Sequence, residues 1–112
     1  MKPREILEIL RSTGIPVTYF QWPMDDPANP VPALPYMVYY IPTTRTEPAD
    51  DHIWQKIGSL RVELYSSEKD FDLEELVESI LDQHFLWQKE EIYLSSEHMY
   101  EVLYIMEVTL DG

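Results

Sequence analysis

The chain has 112 residues, 45% of them hydrophobic and 12% aromatic, and its 21 acidic residues against 8 Lys and Arg give a formal net charge of −13. That size suits one domain over 1–112, able to remove roughly two thirds of its unfolded surface from water. The charge disfavours direct binding to nucleic-acid phosphates, the lack of cysteine excludes disulfides and thiol chemistry, and no apolar run approaches the roughly 20 residues that span a bilayer.

The first ten residues mix Lys2, Arg4, Glu5 and Glu8 into the apolar positions, unlike a signal peptide, which predicts a soluble protein made in the cytoplasm. Pro3 suits a first helical turn, and Ile6, Leu7, Ile9 and Leu10 form a short amphipathic stripe. Gly14 and Pro16 end this helix near Ser12 or Thr13. Val17 to Trp22 reads as a strand with Thr18, Phe20 and Trp22 on one face and Val17, Tyr19 and Gln21 on the other. Aromatics on both faces leave the inner one open.

From Pro23 to Pro35 the periodicity disappears, and five prolines forbid a regular ladder. A loop of this length inside a small domain is uncommon and often functional. Trp22, Met24, Pro30 and Pro32 are therefore candidate contacts to another subunit or partner. Tyr36 to Ile41 is a second strand, ended by Pro42. Arg45 is the only base in the polar stretch from Thr43 to Asp51, and it joins the candidate contacts.

The centre of the pattern lies between Ile57 and Gln83. Leu60, Val62 and Leu64 alternate with Arg61, Glu63 and Tyr65, as in a strand with one face on a core. Ile53 to Ile57 extends that strand outward, with Gly58 at a bulge or bend and Trp54 on the protruding part as a further candidate contact. A helix follows, with Asp72 and Glu75 as a capping box and Phe71 and Leu76 as a hydrophobic staple. Leu73, Leu76, Val77, Ile80 and Leu81 form its apolar stripe, and Glu74, Glu75, Glu78, Ser79 and Asp82 its solvent side.

Glu90 to Leu94 and Tyr100 to Leu110 are two more strands, joined by a turn over Ser95 to His98. The last carries Val102, Tyr104, Met106 and Val108 on one face and Leu103 and Ile105 on the other, which reads as central in its sheet. The order α-β-β-β-α-β-β predicts an α+β fold, an antiparallel sheet of four to five strands with two helices on one face. Nothing is left to cover the second face, so it is either solvated or packed by another subunit.

Chemistry is sparse. Three glycines cannot build a phosphate-cradling loop. His52, His84 and His98 are scattered and show no zinc spacing, and adjacent Asp50, Asp51 and His52 are poorly placed to converge on one cation. Glu74 with Glu75, and Glu90 with Glu91, are sequence neighbours that point apart, and no serine lies in a nucleophile elbow. No cofactor, metal site or catalytic residue is expected, and an enzyme is the least supported class. Trp54, Trp87 and eight tyrosines exceed what one small core must bury, and Trp and Tyr favour interfaces.

Several segments together resemble a family of small proteins encoded among the head-to-tail genes of long-tailed phages and prophages of Gram-positive bacteria. They are Ser12-Thr13-Gly14-Ile15-Pro16-Val17 after the first helix, Leu34-Pro35-Tyr36-Met37-Val38-Tyr39, Arg61-Val62-Glu63-Leu64-Tyr65 leading to Asp70 and the Leu73 to Asp82 helix, and Tyr100-Glu101-Val102-Leu103-Tyr104. Such proteins are similar in plan to tail terminators, also called tail-completion or tail-to-head joining proteins, which form rings that cap the tail tube. The resemblance implies a non-enzymatic virion protein. It implies a hexameric ring of this chain as the working form and, as partners, the major tail protein and head-completion or connector proteins. DNA would pass through without being bound. The proline-rich loop is longer and stiffer than the family plan suggests. A rival reading follows from charge alone: 15 acids between Asp51 and Asp111 face four bases, as in an acidic inhibitor that imitates DNA.

Overall fold

Two helices and five strands follow one another as α-β-β-β-α-β-β in the computed structural model, which describes residues 1–22, 31–48 and 54–111. The elements are α1 (Pro3–Arg11), β1 (Val17–Tyr19), β2 (Tyr36–Pro48), β3 (Trp54–Ser66), α2 (Phe71–Leu81), β4 (Trp87–Leu94) and β5 (Met99–Leu110). The sheet order is β1-β2-β3-β5-β4. Thus β3 is the middle strand and β5 lies between it and the edge strand β4.

The alternation read in β3 and β5 decides where the core sits. Leu60, Val62 and Leu64 on β3, Val102, Tyr104, Met106 and Val108 on β5, and Met37 and Tyr39 on β2 share one face. They pack with Ile6 and Leu10 of α1, Val77 and Leu81 of α2, and Ile15 and Phe85. Both helices lie on this face. α1 begins at Pro3 and ends where Gly14 takes φ 82. Buried Thr13 satisfies that end, its Oγ1 donating to the Leu10 carbonyl at 2.7 Å and accepting from the Ile15 amide at 3.1 Å.

Several local expectations are corrected. The sheet is not wholly antiparallel: β1 runs parallel to β2, Val17 beside Met37 and Tyr19 beside Tyr39. The stretch from Phe20 to Pro35 is long enough for the crossover that parallel pairing needs, about a dozen residues or more. β1 stops after Tyr19 because Phe20 adopts φ 68, so the strand expected to reach Trp22 is cut short.

Pro42 does not end β2. It sits in a bulge, where the register moves from Tyr40↔Arg61 to Thr43↔Ser59 and one extra residue on β2 absorbs the missing amide. Gly58 is in regular pairing, opposite Thr44 and Val108, and the bulge lies on the other strand. An added Cβ there would stand 3.0 Å from Leu110 Cδ1 and 3.1 Å from Ile41 Cγ2, so the glycine lets two neighbouring side chains close over it.

The cap of α2 is Asp70, not Asp72; its Oδ1 accepts from the Leu73 amide at 3.0 Å. Phe71 and Leu76 are exposed and form no staple against the core. Glu74, expected in solvent, is 3% exposed. It faces the sheet because Lys69 and Lys89 reach it, at 2.7 and 3.1 Å. Lys89 also binds Glu78 at 2.8 Å, Tyr104 donates to that same Glu78 oxygen at 2.8 Å, and Lys69 pairs with Glu91. Ile80 is only half-buried, so Val77 and Leu81 carry the helix's core contacts.

This network explains how β4 stays on the sheet. Six of its eight residues are exposed, so no apolar stripe holds it. Beyond its ladder to β5 it is tied by Lys89, by Glu91, and by Trp87, which stands edge-on to Tyr104 with its Nε1 donating to Asp82 at 2.7 Å.

Candidate interaction surface

Residues of the opposite parity build the face that no described helix covers. β2 contributes Tyr36, Val38 and Tyr40, β3 contributes Arg61, Glu63 and Tyr65, and β5 contributes Glu101, Leu103 and Ile105. Phe20 and Trp22, turned by the left-handed backbone at Phe20, close over one end of it. Phe20 stands edge-on to Tyr40 and Trp22 edge-on to Tyr36, with centroids 6.1 and 6.3 Å apart. Tyr36 leans on Tyr65 at 5.3 Å. Phe20, Tyr36 and Tyr65, with Gln21, Val38 and Glu63, line a cleft of about 250 Å³, bounded across by Leu94, Glu97 and Met99.

Glu63 is the hub of the patch. Tyr40 donates to its Oε1 at 2.8 Å and Tyr65 to its Oε2 at 2.5 Å. Burial first, and then the Glu63 carboxylate, push the Tyr40 hydroxyl up to about 12 and the Tyr65 hydroxyl still further. Both phenols therefore stay protonated donors. Glu101 is raised above the usual carboxylate range, first by burial and then by the charge of Glu63.

The second surface is an arm. β2 and β3 remain paired out to Pro48↔Trp54, while β5 reaches only Leu110↔Lys56, so the paired ends of β2 and β3 run past the end of β5. The molecule is 51 Å in its longest dimension against 31 and 25 Å. Every residue from Pro42 to Pro48 is exposed, and Trp54 keeps 67% of its surface in solvent. Arg45 bridges Glu47 at 2.9 Å and Glu107 at 3.1 Å across the outer side of this arm.

The sequence-predicted contacts do not form one site. Trp22 is half-buried against Tyr36 at one end of β2, and Pro32 is half-buried on the approach to it. Arg45 and Trp54 flank the other end of β2. Met24 and Pro30 lie outside the described residues, as do Asp50, Asp51 and His52. Phe20, Tyr40, Glu63, Tyr65 and Glu101 were missed as a group. Alternation could have put Glu63 and Tyr65 on the outer face, but their meeting with Tyr40 and Glu101 depends on register. Among the described residues no group of His, Asp and Glu is arranged to hold a metal ion, and no helix is long and apolar enough to cross a membrane.

No protein-family model matches the sequence, and no curated protein does. Among solved structures, the fold is similar to that of a chain in the "Virion of native gene transfer agent (GTA) particle". The TM-score is 0.55 with 9% sequence identity, over 93% of this chain and 84% of that one. At that identity the likeness is one of fold.

Proposed function

We propose that this chain is a structural, non-enzymatic component of a phage-like virion, a tail terminator or tail-completion protein acting at the head-tail junction. The observation that carries this reading is the fold shared with a chain of a gene transfer agent virion over nearly the whole length of both. The segmental resemblance to head-to-tail proteins supports the finer assignment, and the projecting arm and aromatic outer face supply surfaces for assembly.

In this role the chain assembles in the host cytoplasm and works as a ring, a hexamer on the tail tube, between the major tail protein and head-completion or connector proteins. A cap on a rotationally symmetric tube shares its symmetry, and heterologous contacts that close give such a ring. Acidic residues facing the lumen would repel passing DNA. The same charge opposes association of free subunits, so salt favours the ring. Sedimentation of the purified protein across a salt series, with and without tubes of the major tail protein, tests this. A monomer at low ionic strength that becomes a ring at higher salt or on tubes is expected. A strict monomer under every condition overturns the assignment.

The charge of −13 favours one rival, an acidic inhibitor that imitates DNA. Tight, salt-sensitive inhibition of a DNA-binding enzyme, with no association to tail tubes, would replace the first reading with this one.

A further inference from the structure

Both edges of the sheet are open at complementary places. At one side β4 is unpaired along all eight residues from Trp87 to Leu94. At the other, β1 covers β2 only from Met37 to Tyr39, and Phe20 donates the last bond to the Tyr39 carbonyl. Beyond that, among the described residues, no backbone group pairs with the outward edge of β2 from Thr43 to Pro48. Long open edges are usually blunted by proline, bulges or unpaired charge. β4 has neither proline nor bulge, and Lys89 and Glu91 are neutralised by α2 and Lys69. Glu90 remains, without a cation among the described residues.

Strand directions match as well. β2 and β5 run one way, β3 and β4 the other. If a second copy is laid beside the first with its helices on the same side, β4 of one meets β2 of the next antiparallel. One register sets Arg45, which already bridges Glu47 and Glu107 on the outer face of the arm, opposite Glu90 on the outer face of β4, a carboxylate with no cation of its own among the described residues. Thr43 then stands opposite Ile92, Thr44 opposite Glu91 and Glu47 opposite Gln88, and each pair shares a face. β1 blocks the lower part of β2, so the incoming strand is offset toward the arm. Such an offset, repeated, is the shear that a closed sheet requires.

We propose that copies of this chain join by β4 of one subunit adding to the arm edge of β2 of the next, so that the sheet runs continuously from subunit to subunit. The contact uses two different surfaces and is heterologous, as ring formation requires. This inference rests on the ring reading above and names its interface.

Paired cysteines test it against a clean background, since the chain has none of its own. Thr43→Cys with Ile92→Cys, and separately Thr44→Cys with Glu91→Cys, sample the two alternating kinds of cross-strand pair; Thr43→Cys with Gln88→Cys is the off-register control. Each doubly substituted protein is oxidised at the salt concentration where wild type sediments as a ring, then run denatured without reductant. A ladder of covalent oligomers from at least one in-register pair, absent from the control, is expected. Rings that give no ladder from either in-register pair overturn the edge pairing and leave the ring reading standing. Wild type that never assembles, in salt or on tail tubes, overturns both.

Discussion

Glu74→Ala is the most informative single change, because its helix position reads as solvent-facing and the tertiary structure makes it a buried junction. Its side chain is 4% exposed and holds Lys69 at 2.7 Å and Lys89 at 3.1 Å. Removing one member of a buried charge pair costs about 3–5 kcal/mol, since the partner is left uncompensated. Here the lysines keep 24% and 34% exposure and retain Glu91 and Glu78, so part of that penalty is relieved by water and by the remaining carboxylates. The expected cost is about 2–3 kcal/mol after that discount. For a domain of this size each kcal/mol moves the melting temperature by about 4 °C, so a drop of about 10 °C is expected by calorimetry. Glu75→Ala, one residue on and exposed, should leave the melt nearly unchanged. The network also pins β4, so amide exchange in Trp87–Leu94 should speed up more than in β3. Equal, mild effects of the two alanine variants, with β4 exchange unaltered, would refute the claim that this carboxylate is a tie between α2 and the edge strand.

Leu81→Ala should cost about 2–5 kcal/mol by urea titration, because Leu81 is fully buried in the core, and half-buried Ile80→Ala should cost clearly less. Gly58→Val should destabilise by about 1–3 kcal/mol, its side chain colliding with Leu110 and Ile41; a melt at or above wild type would show that those side chains move aside freely. Because Glu101 titrates above its unfolded range, its contribution to stability is fully present below the unfolded carboxylate pKa and is lost as pH rises through the folded one. Glu101→Gln should therefore melt higher than wild type at neutral pH, with the difference shrinking as the pH is lowered toward the unfolded value of about 4.3. A difference that does not change with pH would show that Glu101 is not raised above its unfolded range by burial and the charge of Glu63.

Alternation and helical spacing, both local, were enough to place the element order, the inward faces of β3 and β5, and the start and stop of α1. A residue's period depends only on its neighbours along the chain, and Leu60, Val62 and Leu64 must share a face in any sheet they enter. What those faces meet is a non-local matter, and there the sequence was silent or misleading. Parallel pairing of β1 depends on where the crossover returns, and the run of β2 past Pro42 depends on β3 tolerating a bulge opposite Arg61 and Ser59. Glu74 looks solvated because a carboxylate is costly to bury; it is buried because two lysines, one before the helix and one on a distant strand, arrive to neutralise it. The outer patch has the same origin. Tyr40, Glu63, Tyr65 and Glu101 come from three strands, and only the register of the ladders makes them neighbours, since a slip of one residue would turn each set to the opposite face.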